Sequence, residues 1–353
     1  MTSSLYLRRK RLSFLAQLLC SLAMLAAVVP SSHAQESVLR LSGQIPPEVD
    51  TIYERGLTWL KGAQTQEGGW KGSYEGAGVD GICLMAFLAS GEDPNYGRHA
   101  TTVRRAVRAI ITQQDEKTGY LPSSMYHHGF GMLALAEAYG AVDESMLWEG
   151  GKKVRSIGAA LELAIRLAAT SQKNNRWGGW RYAPEATDAD TSVTGAMLMG
   201  LLACRNAGLK VPDEVVNSAM EYMRRSTGVD GSVAYSGGFG GMGGSMNLTA
   251  ISTLVGAITK TKETEQYKAS LKRILENLEH REAGSYAEYF RYYMAQALFQ
   301  GDYDAWQKWN AAKVRELREI QRDDGAFDNN AYGTGMSLLA LALNYRFLPI
   351  YER

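Results

Sequence analysis

A short motif that recurs along the chain restricts its fold more than any other feature. The motif consists of a glutamine, three residues, a glycine, one residue and an aromatic side chain. Gln64 to Trp70 and Gln321 to Phe327 match it, and Gln114 to Tyr120 and Gln172 to Trp180 match it with inserted residues. A degraded copy occurs at Asp230 to Ser232. Self-similarity of this kind indicates a repeat architecture, in which each repeat is one supersecondary unit.

Helical segments of two kinds alternate around the motif. The segment before each copy has charged residues on one face and apolar residues at three- and four-residue spacing, which predicts an amphipathic helix. The segment after each copy is apolar on every side, which is typical of a buried helix. The predicted amphipathic helices span roughly 48–64, 97–114, 153–172, 212–226, 264–279 and 303–321. The predicted apolar helices contain Ile82–Leu88, Phe130–Ala138, Val193–Ala203, Leu248–Ala257, Tyr289–Phe299 and Met336–Leu343.

Six alternations of half-exposed and buried helices predict an all-α fold. Two concentric rings bury six helices and half-expose the other six, so we expect an (α/α)6 toroid of six outer and six inner helices. The motif glycines permit positive φ and close approach in the connecting turns, and the aromatic side chains fill the space between helix ends. A tandem solenoid is the alternative. Ring closure is favoured because the insertions differ from pair to pair.

The first 34 residues have the features of an export signal. Arg8 to Arg11 are positively charged, an apolar run follows from Phe14 to Val29, and Ser32 and Ala34 offer small residues to a signal peptidase. An uncleaved membrane anchor is the alternative, because the apolar run is near the shortest length that spans a bilayer. We therefore predict a signal peptide over 1–34, a single toroid domain over 35–353, and an exported protein that is periplasmic or secreted.

The composition of the chain excludes several classes of function. Without residues 1–34 the formal charge falls from +1 to −3 and no basic cluster remains, so nucleic acid is not an expected partner. Cys83 and Cys204 are the cysteines of this remaining part, and both lie in apolar helical segments. They predict two buried thiols and exclude a disulfide framework. The sequence does not indicate an oligomeric state.

The motif and the helix alternation resemble the α/α toroids of squalene–hopene cyclases and of protein prenyltransferase β subunits. The resemblance covers nearly all of residues 48–346. The stretches Tyr286–Tyr293, Trp306–Asn310 and Tyr345–Pro349 are similar to the small exported single-toroid members of this superfamily. The resemblance implies the toroid fold and a terpenoid-cyclase-like central cavity. A shared fold does not by itself imply a shared reaction.

The resemblance directs attention to Asp188 and Asp190, in the segment that ends at Val193. Cyclases of the family protonate an alkene with the middle aspartate of an Asp-x-Asp-Asp-Thr-Ala motif at the start of an inner helix. If Asp188 and Asp190 match the first two acids, Asp190 is the catalytic acid. If Asp190 matches the last aspartate, Ala189 occupies the catalytic position and the chain is not a proton-initiated cyclase. The second register preserves more of the following helix. Either aspartate can instead cap that helix.

His127 and His128 open the second predicted inner helix. They are candidates for a base or for a partner that orients the acids, and the alternative is a solvated or hydrogen-bonded histidine at a helix start. A prenyltransferase-like zinc site would need an Asp-x-Cys pair and a distant histidine. Asp80 and Cys83 are three residues apart, and no histidine follows in the expected inner helix. We therefore expect no metal and no cofactor.

Aromatic residues are concentrated near the predicted starts of the inner helices. In a cyclase their π faces would stabilise carbocations, in a sugar-binding toroid they would stack on pyranose rings, and otherwise they are core wedges between helices. The glycine-rich run Gly237–Gly244 is either a flap over the toroid mouth or a featureless connector. The candidates for substrate binding are Trp177, Trp180, Tyr182, Tyr235, Tyr289, Tyr292, Tyr293 and Tyr332.

Three functions remain open at this point. The first is an isoprenoid- or lipid-handling toroid, which either binds its ligand or cyclises it. The second is a polysaccharide lyase or hydrolase, with His127, His128, Arg181, Tyr182 and Arg291 at its cleft. The third is a non-catalytic scaffold for a protein or cell-surface partner. The expected ligand is accordingly a hydrophobic small molecule or a glycan, and peripheral contact with a membrane is a further option.

Overall fold

The computed structural model describes residues 45–148, 155–237, 243–282 and 286–348. Within these ranges the chain forms twelve α-helices and one short 3-10 turn, Glu144–Met146, and its only β pairings are two isolated bridges. The outer helices are α1 (Pro47–Ala63), α3 (Ala100–Gln113), α5 (Ile157–Lys173), α7 (Asp213–Ser226), α9 (Glu265–Leu275) and α11 (Tyr303–Ile320). The inner helices are α2 (Ala77–Leu88), α4 (Met125–Ala138), α6 (Thr191–Asn206), α8 (Met246–Ile258), α10 (Tyr286–Gly301) and α12 (Ala331–Ala342).

The helices form two closed rings. Each inner helix packs against the inner helix before it and the one after it, and α12 packs against α2. In the outer ring α3 contacts α5, and the last outer helix, α11, contacts the first, α1. The predicted all-α (α/α)6 toroid is confirmed, and its core is the layer between the two rings. The predicted signal peptide lies outside the described residues.

The motif glutamines connect neighbouring repeats. In each of four copies Nε2 donates one hydrogen bond to a glycine carbonyl of its own turn and a second to a carbonyl of the next outer helix. Gln64 donates to Thr102 O in α3 at 3.0 Å, and Gln321 donates to Ile52 O in α1 at 2.9 Å. The bond from Gln321 therefore joins the last repeat to the first, and it is the same kind of bond that joins neighbouring repeats elsewhere in the ring. Gln114 and Gln172 make the equivalent pairs of bonds.

The motif glycines set how closely each turn approaches the next outer helix. All of them have positive φ, which favours a residue without Cβ. A Cβ atom on Gly68 would lie 2.3 Å from Arg105 O, and one on Gly231, in the degraded copy, would lie 2.3 Å from Ala269 O. Turn and helix backbones are thus in direct contact at every such junction. The full set is Gly68, Gly119, Gly178, Gly231 and Gly325.

In α2, α4, α6 and α12 the fourth residue accepts a hydrogen bond from a backbone N–H of the preceding turn. Asp80 Oδ1 accepts a hydrogen bond from Trp70 N at 2.8 Å, and His128 Nδ1 accepts one from Leu121 N at 3.1 Å. Thr194 does the same for Trp180 N, and Thr334 for Phe327 N, each at 3.0 Å. The inner helices begin two to five residues before the predicted apolar stretches, and this additional first turn carries the polar side chains described below.

Cys83 and Cys204 are buried free thiols, as their apolar segments predicted. Among the described helices, none combines the length and the apolarity needed to cross a bilayer.

Candidate functional site

A cavity of about 670 Å³ lies at the N-terminal ends of the inner helices. In α2 and α4 the second, third and sixth residues face the cavity, α6, α8 and α12 contribute some of the same positions, and α10 contributes its first and fourth residues. The sixth residues, Ile82 of α2, Phe130 of α4 and Met336 of α12, lie one turn deeper than the others and form an apolar floor. Val79 and Leu248 extend this apolar surface up the wall. The volume falls within the usual range for a small-molecule site.

Phenol rings make up most of the upper wall. The hydroxyls of Tyr126 and Tyr289 are hydrogen-bonded at 3.0 Å, and those of Tyr182 and Tyr235 at 2.7 Å. Burial raises the pKa of Tyr126 and Tyr289 well above the ordinary value, so both phenols are neutral at physiological pH. The wall thus presents ring faces and neutral hydroxyls. The lining tyrosines are Tyr74, Tyr126, Tyr182, Tyr235, Tyr286, Tyr289 and Tyr332.

The structure separates the predicted site residues into two sets. The first set lines the cavity and consists of His127, Tyr182, Tyr235, Tyr289 and Tyr332. The second set lies outside the lining and consists of Asp188, Asp190, His128, Trp177, Trp180, Tyr292 and Tyr293.

His127 is held at the wall by the neighbouring inner helix. Its Nδ1 accepts a hydrogen bond from Gly78 N at 3.1 Å. Gly76, the N-cap residue of α2, has no side chain to cap that helix, and His127 satisfies one of its free N–H groups from α4 instead. Burial lowers the pKa of His127. A neutral imidazole that accepts at Nδ1 carries its proton on Nε2.

His128 is a fold-stabilising residue rather than part of the cavity. Its ring is fully buried, Nδ1 accepts from Leu121 N, and Nε2 donates to Ala164 O at 3.0 Å. Burial lowers its pKa to about 4. Because both ring nitrogens are engaged with backbone groups, neither is available to act on a ligand. The predicted role as a base therefore has no support in this geometry.

Asp190 is the N-cap residue of α6. Its Oδ1 accepts hydrogen bonds from Ser192 N at 2.7 Å and Val193 N at 2.9 Å, and from the Ser192 hydroxyl. The side chain is fully buried, and Oδ2 has no hydrogen-bond partner among the described residues. Burial, together with the nearby Asp190 carboxylate, raises the pKa of Tyr235. The carboxylate thus lies behind the phenol wall and not in it.

Asp188 and Arg181 form an ion pair on the outside of the same segment. Arg181 Nη1 lies 3.0 Å from Asp188 Oδ2, and the Asp188 side chain is 57% exposed. The guanidinium also lies 5.7 Å from the ring centroid of Tyr182 and 5.4 Å from that of Tyr235. Asp188 is therefore too far out in solvent to protonate an apolar ligand in the cavity, and Arg181 supports the two rings from outside.

The remaining predicted aromatic residues belong to the core or the outer surface. Trp180 is buried, and its indole donates to Ala168 O at 3.0 Å. Trp177 is half-buried, 5.4 Å from the Arg176 guanidinium. Tyr292 and Tyr293 are fully buried in α10, where their rings pack edge to face at 4.9 Å.

Arg291, a candidate for polysaccharide chemistry, does not line the cavity either. Its guanidinium is buried, donates to the Ser337 hydroxyl at 2.9 Å and lies 3.7 Å from the Glu316 carboxylate. Glu288, one turn earlier in α10, is also buried, and burial together with hydrogen bonding to Asp328 raises its pKa to about 7. The two residues belong to a charged cluster that also includes Glu316 of α11 and Asp328 in the turn before α12.

Sequence reasoning missed part of the lining. Tyr74, Tyr126 and Phe130 face the cavity but were not among the predicted site residues. Tyr126 and Phe130 are four residues apart, a spacing that places both aromatic side chains on one face of a helix and could have identified them. Tyr74 lies in the turn before α2, where no helical periodicity identifies the direction of its side chain.

No group of three or more His, Cys, Asp or Glu side chains in the described residues is arranged to hold a metal ion.

Comparison with known proteins identifies the fold. The apo type II terpene cyclase MstE from Scytonema superposes with a TM-score of 0.60 at 15% sequence identity, over 86% of this chain and 100% of the cyclase. An MstE variant in complex with its substrate geranylgeranyl dihydroxybenzoate gives 0.59 at 14% identity, over 85% and 98%. An inactive variant of the α-1,6-mannanase from Salegentibacter sp. HEL1_6, in complex with α-1,6-mannotetrose, gives 0.61 at 8% identity, over 84% and 98%.

The chain has the α/α toroid fold. At these identities the similarity is evidence for fold alone, and the two neighbours act on chemically unlike molecules. No protein-family model matches the chain, and no curated protein matches it. The lining of the cavity therefore provides the evidence for the class of ligand.

Proposed function

We propose that the toroid binds an apolar, isoprenoid-like small molecule in its central cavity. The observation that carries this proposal is the floor of Ile82, Phe130 and Met336 beneath a wall of neutral phenols. Burying apolar surface against such a floor contributes roughly 25 cal/mol per Å². A sugar chain would leave its hydroxyls without partners on these three side chains, which is unfavourable.

The proposal is for binding, without proton-initiated cyclisation. Protonating an alkene requires a carboxylic acid whose proton reaches the ligand. Among the described lining residues the only carboxyl group is that of Glu282, at the mouth, and Asp190 is behind the wall with one oxygen engaged as a helix cap. This arrangement agrees with the register in which Ala189, itself buried, occupies the position of the catalytic acid.

The test is a binding titration of the purified protein with geranylgeraniol and, in parallel, with α-1,6-mannotriose. We expect saturable binding of the isoprenoid and a rise in melting temperature, because a ligand that binds only the folded state stabilises it. Ile82→Phe places a larger side chain in the floor and reduces the space for the ligand. We expect the dissociation constant to rise about tenfold, which corresponds to about 1.4 kcal/mol. Ile320→Phe, at a half-exposed outer-helix position, is the control and should leave binding unchanged. Binding of the isoprenoid that Ile82→Phe does not affect would refute the proposed location.

A glycan ligand is the second candidate, and one observation favours it. Tyr74, Tyr182 and Tyr286 at the mouth are 46%, 44% and 65% exposed, so their ring faces are accessible for stacking on a sugar. Saturable binding of mannotriose without binding of geranylgeraniol would make this the better assignment.

We also propose, from the sequence, that the toroid begins after a signal peptide of residues 1–34 and acts outside the cytoplasm. N-terminal sequencing of the protein recovered from the exported fraction tests both points. A first residue of Gln35 is expected, whereas an intact N-terminus in the membrane fraction would favour an anchor.

A further inference from the structure

A hydrogen bond to the neighbouring inner helix fixes the direction of one polar group at the cavity, the Nε2–H of His127. The backbone N–H of Gly78 donates to Nδ1, so the tautomer with hydrogen on Nε2 is the one this bond selects. A Cβ on Gly78 would lie 2.8 Å from His127 Cα, so α2 and α4 approach closely at this point. The ring is therefore held from one edge and cannot rotate without breaking its contact with α2.

Within the described part of the chain, the opposite edge of the ring makes no hydrogen bond. Nε2 makes no hydrogen bond to any residue within the described ranges, and it is not among their buried, unpartnered polar atoms, although His127 lines the cavity. The lining around it changes with depth along α4. His127 is the third residue of this helix, and Phe130, the sixth, belongs to the apolar floor. A ligand whose apolar part rests on the floor thus passes the imidazole on its way to the mouth.

Resting on the proposed binding function, we infer that His127 determines specificity by donating a hydrogen bond from Nε2 to an oxygen at the mouth end of the ligand. The ligand class is an isoprenoid-like molecule that carries a hydroxyl, carbonyl or carboxyl oxygen, as opposed to a pure hydrocarbon. The role differs from that of a base, because the nitrogen that faces the cavity already carries a proton. It also differs from a purely structural role, because capping α2 uses only Nδ1.

Two substitutions separate the cap from the donor. In His127→Asn the side-chain oxygen is two bonds from Cβ, as Nδ1 is, so it can accept from Gly78 N but leaves no donor at the position of Nε2. In His127→Gln the amide nitrogen is three bonds from Cβ, as Nε2 is, so it keeps a donor toward the cavity and loses the cap.

The experiment measures the dissociation constants of geranylgeraniol and of the hydrocarbon that has hydrogen in place of its hydroxyl. We expect the wild-type protein to bind the alcohol about fivefold to tenfold more tightly, which is the usual size of one neutral hydrogen bond. His127→Asn should abolish this preference at an almost unchanged melting temperature. His127→Gln should keep the preference and melt at a lower temperature.

The outcomes distinguish the two proposals. If the wild-type protein binds both molecules equally, or if His127→Asn keeps the preference for the alcohol, the inference about His127 is wrong and the binding function stands. If the wild-type protein binds neither molecule, the proposed function fails and the inference fails with it.

Discussion

Nε2 of Gln321, at the end of the last outer helix, donates a hydrogen bond to the carbonyl oxygen of Ile52 in the first outer helix at 2.9 Å. Its second bond goes to Gly325 O, also at 2.9 Å. Gln64 bonds in the same way to its own turn and to Thr102, in the helix that follows it in sequence. The junction that closes the toroid therefore has the same hydrogen bonds as the junctions made by Gln64, Gln114 and Gln172.

Replacing Gln321 by methionine tests the contribution of the closure. Gln321→Met keeps the length of the side chain but leaves the carbonyls of Ile52 and Gly325 without this donor. We expect the free energy of unfolding to fall by about 1–3 kcal/mol, the usual cost of buried unsatisfied groups. Urea denaturation measures it. Gln307→Met, at an exposed position of the same helix, is the control and should change stability by less than about 0.5 kcal/mol. Equal effects of the two substitutions would count against a closure role.

Two glycines with similar backbone conformations give a second test. Gly325 has φ +97° and Gly140 has φ +82°, so alanine at either position is strained by roughly 1–2 kcal/mol. A Cβ on Gly325 would lie 2.4 Å from Arg55 O, whereas one on Gly140 would meet no atom within 4 Å. Gly325→Ala should therefore lower the melting temperature clearly more than Gly140→Ala. Similar shifts for the two variants would mean that the turn can move away from α1 at no cost.

The buried His128 predicts a loss of stability in acid. Burial lowers its pKa to about 4, below the 6.5 of an ordinary histidine. Between these two pH values the histidine of the unfolded chain is protonated and that of the folded protein is not, so protonation favours unfolding. The contribution of His128 to the free energy of unfolding is therefore fully present above about pH 6.5. It is lost as the pH decreases toward 4, and the loss amounts to about 3 kcal/mol. Urea denaturation at pH 7 and at pH 4.5 measures the loss.

His128→Thr is the matched variant for this prediction. Threonine fills the equivalent position of α6 and α12, where it accepts from the N–H of the preceding turn without titrating. The variant should be less stable at pH 7 and should lose less stability on acidification. His99 and His127, whose pKa values are also lowered by burial, remain in both proteins. An unchanged pH dependence in His128→Thr would contradict the assignment.

Asp190 predicts different results for its two simplest substitutions. Asparagine caps helices about as well as aspartate, so Asp190→Asn should keep most of the stability, whereas Asp190→Ala should lose about 1–2 kcal/mol. Neither should change isoprenoid affinity by more than about twofold, because the side chain does not line the cavity. Thermal melts and ligand titrations check both points. A cyclised product that forms with the wild-type protein and disappears in Asp190→Asn would instead identify a catalytic acid.

Much of the fold could be predicted from the sequence because its determinants are local. The glutamine and glycine of each motif copy are separated by a few residues and can be recognised within one turn, and the alternation of helix types specifies which ring each helix joins. Even the degraded copy at Asp230 to Ser232 keeps the glycine that packs on the next outer helix. A repeated local pattern can be recognised without knowing which residues meet in three dimensions.

The site was less predictable because it depends on helix register. His127 and His128 are adjacent, and one residue corresponds to a rotation of about 100° around an α-helix. Whether each ring faces the cavity or the preceding turn follows from the start of α4 at Met125. The sequence pattern placed this start at His127, and a difference of one or two residues is enough to change which ring faces the cavity. The hydroxyl pair of Tyr126 and Tyr289 joins residues 163 positions apart, which no local pattern encodes.

The contact between α11 and α1 also brings the two ends of the toroid together. Tyr345, just after α12, donates a hydrogen bond to Asp50 Oδ1 at 2.7 Å, and its ring lies 5.0 Å from that of Tyr53. Because the closing junction uses the same bonds as the junctions made by Gln64, Gln114 and Gln172, closure is structurally equivalent to these connections inside the ring. A circular permutant that joins the segment after α12 to α1 and opens at the unobstructed Gly140 should therefore fold to the same ring around an unaltered cavity.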